Sequence, residues 1–153
     1  MKKIALITGA TSGIGEACAR KFAEGGYHLI ITGRNAEKLA QLKAELPREV
    51  LTVCFDVRDR NAATKAVNSL PEEWSTIDVL INNDGLALGL EPEYEGDYED
   101  WDTMIDTNIK ELLTMTRLIV PQMSHGFREI FSRFFVVNQL LPMSNVQKQQ
   151  IND

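Results

Sequence analysis

Several things are scarce in this chain of 153 residues, and each scarcity excludes a class of reading. Cysteine occurs twice, at Cys18 and Cys54, with no Cys-x-x-Cys and no metal-ligand spacing. A disulfide scaffold and a metal site are therefore excluded, and reduced, inert, buried thiols in a cytoplasmic protein are expected. Positive charge is outweighed: 16 Lys and Arg stand against 22 Asp and Glu, a formal net charge of −6. That balance argues against a nucleic-acid-binding surface. No apolar run approaches the length of a membrane span, so no membrane partner is expected. The opening "MKKIALITGA" imitates the start of a signal peptide, but its apolar run stops at Thr8, and none is expected. There is no internal repeat.

What is present is a regular alternation. "KIALIT" (3–8), "YHLIIT" (27–32), "VLTVCFDV" (50–57) and "IDVLINN" (77–83) are short, nearly unbroken apolar runs. Runs apolar on both sides suit strands buried on both faces of a parallel sheet. Helical patterns lie between them. Ile14, Cys18 and Phe22 recur at every fourth residue before Gly25 and Gly26 stop the first helix. Asn35 is placed to cap a second helix carrying Leu39, Leu42 and Leu46, and Pro47 ends it. Asp59 can cap a third with Ala63, Ala66, Val67 and Leu70, before Pro71. With right-handed crossovers this order predicts an α/β fold, a doubly wound parallel sheet of four clear strands.

After the fourth strand comes an acidic loop, "LALGLEPEYEGDYED", and a long helix is expected from near Asp97. Trp101, Ile105, Asn108, Leu112 and Ile119 share its apolar stripe, and an amide there must find partners. Composition then changes. Residues 124–153 hold four of the six Phe, no Ala, and only Glu129 and Asp153 as acids, whereas residues 1–123 carry 20 of the 22 acidic groups. Two units are expected, 1–123 and an atypical tail, 124–153. In the tail "FFVV" (134–137) fits a helical face or a fifth strand equally, and "NVQKQQIND" reads as a frayed polar end.

The chemistry centres on "TGATSGIG", Thr8 to Gly15, between the first strand and the first helix. Glycine tolerates a tight turn and lets main chain approach a ligand closely. Free N–H groups and the helix dipole make the spot suited to phosphate. A P-loop is excluded, because Ile14 stands where its second glycine belongs and no Lys-Ser or Lys-Thr follows. The bland alternative is a plain tight turn. Nineteen residues after Gly15 stands Arg34, and no acid occupies Gly33. At that spacing an acid would accept from the ribose of NAD, while an Arg would meet the 2′-phosphate of NADP. The alternative for Arg34 is a solvated helix start.

These residues together resemble the short-chain dehydrogenase/reductase family over about residues 1–123. "TGATSGIG" resembles its TGxxxGxG cofactor motif, "DV" (Asp56, Val57) its adenine-contacting pair, and "NNDG" (82–85) its NNAG. "DTNIK" supplies Asn108, similar to the helix asparagine of the family's Asn-Ser-Tyr-Lys set. Within the family, "SLPEEWSTIDVLINN", "GLALGLEP" and "DWDTMIDTN" look most like the NADP-dependent 3-hydroxy acid dehydrogenases. The resemblance implies Gly9, Ala10, Thr11, Ser12, Gly13, Ile14 and Gly15 around the pyrophosphate and nearby ribose. It implies Arg34 and Asn35 at the adenosine phosphate, Asp56 and Val57 at the adenine, and Asn83 and Gly85 on the nicotinamide side. For Asn108 it implies a part in holding the proton relay. It also implies small 3-hydroxy acids as substrates and homo-oligomers as the assembled state.

The pattern then breaks. The family moves its proton through Tyr-x-x-x-Lys, and the residues four beyond Tyr27, Tyr94 and Tyr98 are Ile31, Tyr98 and Asp102. Ser124, Ser132 and Ser144 have no catalytic context without that pair, and His125 reads as a surface residue. Asp84 replaces the small Ala of NNAG, putting like charge near bound phosphates, and Glu111 stands where relatives often have Gly. A C-terminally shortened relative is expected, catalytically incomplete. The alternatives are a non-catalytic NADP-binding module and an unstable remnant. The fourth strand would be left as an edge open to self-association unless "FFVV" covers it.

Overall fold

The computed structural model describes residues 2–89 and 92–123. The tail readings, namely "FFVV", the frayed end, Ser124, Ser132, Ser144 and His125, lie outside these described residues. The first apolar run forms β1 (Ile4–Ile7), buried at every position. β2 (His28–Gly33) pairs with it in parallel, with Ala5 opposite Leu29 and Ile7 opposite Ile31. β3 (Val50–Cys54) adds to β2, and β4 (Val79–Ile81) adds to the other side of β1. The resulting parallel sheet has the order β3-β2-β1-β4.

Alternation along the strands sends side chains into two cores. Ala5, Ile7, Leu29, Ile31, Val79 and Ile81 meet α1 (Gly13–Glu24) and α2 (Ala36–Glu45) on one face. Ile4, Leu6, Ile30 and Leu80 meet α3 (Arg60–Asn68) and α5 (Glu111–Ile119) on the other. Full burial of each such Ile or Leu is worth roughly 1.5–3 kcal/mol, which is what holds both helical layers on the sheet. The doubly wound α/β architecture expected from the alternation is therefore the one observed. β3 departs from the two-sided burial expected of it: only Val50 is buried and Cys54 is exposed. It is an edge strand. Cys54 is thus not the buried thiol expected, while Cys18 is partly covered and burial pushes its thiol pKa up.

Capping follows the sequence signals. Asn35 Oδ1 accepts from Lys38 N–H at the start of α2, and Asp59 accepts from Asn61 and Ala62 N–H at the start of α3. Asp97 caps α4 (Tyr98–Ile105) through Glu99 N–H.

Two helical faces differ from expectation, for physical reasons. On α1 the residues pressed on the sheet are Gly15, Ala19 and Ala23, while Ile14 is 44% exposed and Cys18 and Phe22 pack at the flank. Small residues let the helix backbone approach the strands. The long helix is not continuous: Asp106–Lys110, the "DTNIK" segment, is a turn of π-helix between α4 and α5. Its wider turn rotates the face that follows. The buried residues become Thr107, Glu111, Met115 and Ile119, while Ile105 is exposed and Leu112 only partly covered. An isolated parallel bridge joins Ile77 to Met123 beside β4. Among the described residues no helix is long and apolar enough to cross a membrane.

Candidate functional site

The carboxyl ends of β1, β2 and β4 converge on the glycine turn, where ligands bind in open parallel sheets. Gly9 has φ 61°, a left-handed conformation that glycine adopts without strain. Gly15 is required by space. A Cβ there would lie 2.2 Å from the Gly9 carbonyl oxygen and 2.4 Å from Asn83 Nδ2. The helix start therefore sits directly against the turn. Ser12 makes no side-chain cap, and the first bond of the α1 ladder runs from Glu16 N–H to Ser12 O. The amides of Gly13, Ile14 and Gly15 precede that ladder, as anion-binding helix starts require. The Ala10 amide is instead committed to Thr32 O at 3.0 Å, so Ala10 contributes shape rather than a donor.

The loop after β4 is tied to this turn. Thr8 Oγ1 accepts from Asn83 N–H at 2.9 Å and from Asp84 N–H at 3.1 Å. Asn83 Nδ2 donates to Thr8 O and Gly9 O. Its Oδ1 is buried without a partner among the described residues. Asn82 donates to Thr116 Oγ1, linking the loop to α5.

A cavity of about 230 Å³ opens above the turn. Gly9, Thr11 and Ser12 form one wall, Arg34, Asn35 and Lys38 a second, and Asn83, Asp84 and Gly85 a third. Gly33 lines it too, and a Cβ there would meet Thr11 Cγ2 at 2.9 Å, so a larger side chain is disfavoured at that corner. Gly13, Ile14, Gly15, Asp56 and Val57 do not line this cavity. The Asp56 carboxylate is held by Arg58, whose Nη2 lies 2.6 Å away, and that contact, with a weaker pull from Arg34, keeps its pKa below the ordinary value. Val57 is buried.

A strand–glycine turn–helix whose neighbouring strand ends in a cation, with an asparagine from a third strand clasping the turn, decides the family. Residues 3–129 match the short chain dehydrogenase family. The chain belongs to the short-chain dehydrogenases. It is 55% identical over 120 residues to the NADP-dependent 3-hydroxy acid dehydrogenase YdfG of Salmonella typhi, covering 78% of this chain and 48% of that protein. The crystal structure of serine dehydrogenase from Escherichia coli superposes with a TM-score of 0.74 at 50% identity, covering 78% of this chain and 55% of that one. The closed form of serine dehydrogenase complexed with NADP+ gives 0.75 at 50% identity, covering 78% and 48%. The chain thus spans about half the length of the relatives it matches.

In this short-chain dehydrogenase Asn108 sits in the π turn, away from the glycine turn. Its amide is satisfied twice by one loop residue: Oδ1 accepts from Leu86 N–H and Nδ2 donates to Leu86 O, both at 2.9 Å. The partner that an amide on an apolar stripe demands is therefore the loop after β4. The wider π turn carries this amide opposite that loop, and such turns recur at functional sites.

Lys38 was not among the residues singled out by motif. Its signal was available, since it stands four residues after Arg34 on the first turn of α2 and so on the same side. Thr8 and Glu111 are visible in the sequence but carry no assigned role there: one ends a strand run, and the other lies on a face that only the π turn turns inward. Glu111 is 1% exposed, and neither carboxyl oxygen has a hydrogen-bond partner among the described residues. Burial pushes its pKa up to about 8, with Asp84 adding to the rise. The Thr8 hydroxyl pulls weakly the other way without reaching a well-formed bond. Asp84 is raised to about 6, mainly by burial and further by Asp56, while Arg34 and the Gly9 N–H oppose the rise.

Proposed function

We propose that this chain is the NADP-binding half of an oxidoreductase whose lineage acts on small 3-hydroxy acids, and that these 153 residues by themselves bind cofactor without turnover. The observation that carries the reading is the placement of Arg34 on the same cavity as Gly9, Thr11 and Ser12, with Lys38 beside it. Two cations at the end of β2 match a 2′-phosphate, and the turn's uncommitted amides match a pyrophosphate. Gly13, Ile14 and Gly15 serve through main chain; Ala10 and Gly15 serve by fit. Asn35 lies beside the 2′-phosphate while capping α2, Asp56 and Val57 flank the adenine, and Asn83 and Gly85 stand on the nicotinamide side. NADP, when bound, supplies a hydride acceptor or donor. Asn108 acts as a positioning residue for the loop that begins at Leu86.

The family's proton-passing Tyr-x-x-x-Lys has no counterpart in the 153 residues. A positioned acid–base group is worth roughly 10²–10⁴-fold in rate. The described cavity holds Asp84 as its titratable acid and no tyrosine, so its lysine, Lys38, has no phenol there to activate. The tail, 124–153, is assigned no catalytic part. The chain is placed in the cytoplasm, and Ile105, Ile109 and Leu113, exposed along the α4–α5 face, provide an apolar surface for self-association.

Calorimetry with NADP and NAD tests the reading. Arg34→Ala is expected to weaken NADP binding by about 10- to 100-fold, the equivalent of one or two charge-assisted hydrogen bonds, and to leave NAD binding nearly unchanged. Equal loss for both cofactors would remove Arg34 from the 2′-phosphate. Reduction of NADP by serine or 3-hydroxypropionate above background would overturn the statement that the chain lacks turnover.

A further inference from the structure

Asp84 and Glu111 stand where the family resemblance puts Ala and Gly, and the fold brings these two departures within electrostatic reach of each other. Asp84 follows β4 directly and packs onto the glycine turn. Its Oδ1 lies 2.9 Å from the point a Cβ on Gly9 would occupy, and its Cα lies 3.1 Å from the same point. Gly9 N–H is directed to the carboxyl. An internal anion therefore occupies the mouth of a cradle whose amides and cations suit an external one. Glu111, on α5, is buried, and neither of its carboxyl oxygens has a hydrogen-bond partner among the described residues.

We propose, resting on the reading that this turn takes a dinucleotide, that Asp84 forms a proton-operated latch on the cofactor cradle. Ionised Asp84 holds the Gly9 amide and repels the dinucleotide's phosphates. Protonated Asp84 gives up that charge and the cradle accepts the ligand.

The charges around the pair determine how the latch works. Arg34, at the end of β2, draws Asp84 toward the ionised form, and Lys38 on α2 lines the same cavity. Asp56, beyond β3, opposes ionisation. Thr8 on the turn presents its hydroxyl to Glu111. The charge on Asp84 raises the pKa of Glu111, whereas Glu111 is not among the groups that shift Asp84, so Asp84 ionises first. Charge on Asp84 matters more here than on an open surface, because its carboxyl is partly withdrawn from water. Glu111 does not face the ligand and stays neutral while Asp84 titrates.

The test measures NADP dissociation constants from about pH 5.5 to about pH 8.5 for the native chain, Asp84→Asn, Asp84→Ala and Glu111→Gln. The 2′-phosphate titrates equally in every arm, so the ratio of native to variant constants isolates the latch. That ratio is expected near unity at the acid end and about tenfold or more at the alkaline end for both Asp84 variants. Glu111→Gln is expected to leave the pH dependence of the native chain and its midpoint unmoved, and loss of the pH dependence in that variant would take the latch away from Asp84 and overturn it. A ratio that does not change with pH overturns the latch and leaves the cofactor reading standing. Absence of NADP binding in every variant at every pH overturns the cofactor reading and the latch with it. A thermal unfolding transition for each variant guards the comparison. Should either Asp84 variant fail to fold, the native chain's NAD constant, free of the 2′-phosphate's own titration, decides, and binding that does not weaken as pH rises counts against the proposal.

Discussion

The two sides of the cleft at the carboxyl edge of the sheet are built on opposite terms. On the β1–α1–β2 side, close approach is obtained with Gly15, Ala19 and Ala23, and Asn83 reaches across from β4 to satisfy the Thr8 and Gly9 carbonyls. On the β4–α5 side, Asp84 is half-buried and Glu111 buried, with no positive partner in contact and, for Glu111, no hydrogen bond at all among the described residues. One side gains its precision by leaving out side-chain atoms. The other carries side chains that the space was not shaped for. The difference teaches that this family's cofactor cleft depends as much on the absence of atoms at a few positions as on the chemistry of the ones present.

The comparison breaks most visibly at Gly15. Gly15→Ala puts a methyl 2.2 Å from a backbone oxygen, so α1 must lift from the sheet. A loss of about 3 kcal/mol or more is expected in urea unfolding, or loss of the folded state. On the other side the sign reverses. Both carboxyl pKa values are raised, so the folded chain binds protons that the unfolded chain has released. Stability is then highest at low pH and falls as pH rises from about 4.5 through about 8 for Glu111. Glu111→Gln should flatten that decline and stabilise the chain at alkaline pH by on the order of 2–3 kcal/mol. Thermal melts across this range would show it, and a native chain most stable at the alkaline end would contradict it.

A smaller effect sharpens the role of the π turn. Asn108→Ala removes both bonds to Leu86 and is expected to cost about 1–2 kcal/mol, with faster hydrogen exchange at the Leu86 amide. The smallest effect belongs to the satisfied side. Lys38 is exposed, so Lys38→Ala should weaken NADP about three- to fivefold and less than Arg34→Ala does. Calorimetry at two salt concentrations checks this, because the difference should shrink at high salt.

Much of this protein follows from its residues in order. The four strands, the caps at Asn35 and Asp59, the helix start near Asp97 and the glycine turn were legible because they rest on local physics: short apolar runs, one side chain reaching one or two amides, and a conformation open to glycine. The cation at Arg34 was legible because strand and helix lengths place it. The buried faces of α2 and α3 follow the spacing of Leu39, Leu42, Ala63 and Val67, but tertiary structure alone decided which face α1 and the last helix bury. On α1 the choice went to the smallest residues, because the sheet leaves little room. On the last helix it went to Thr107, Glu111, Met115 and Ile119, because one π turn at Asp106–Lys110 shifts the phase. Straight-helix periodicity cannot register that shift. The burial of Glu111 depends on it too, because that residue faces inward only once the π turn has shifted the helix.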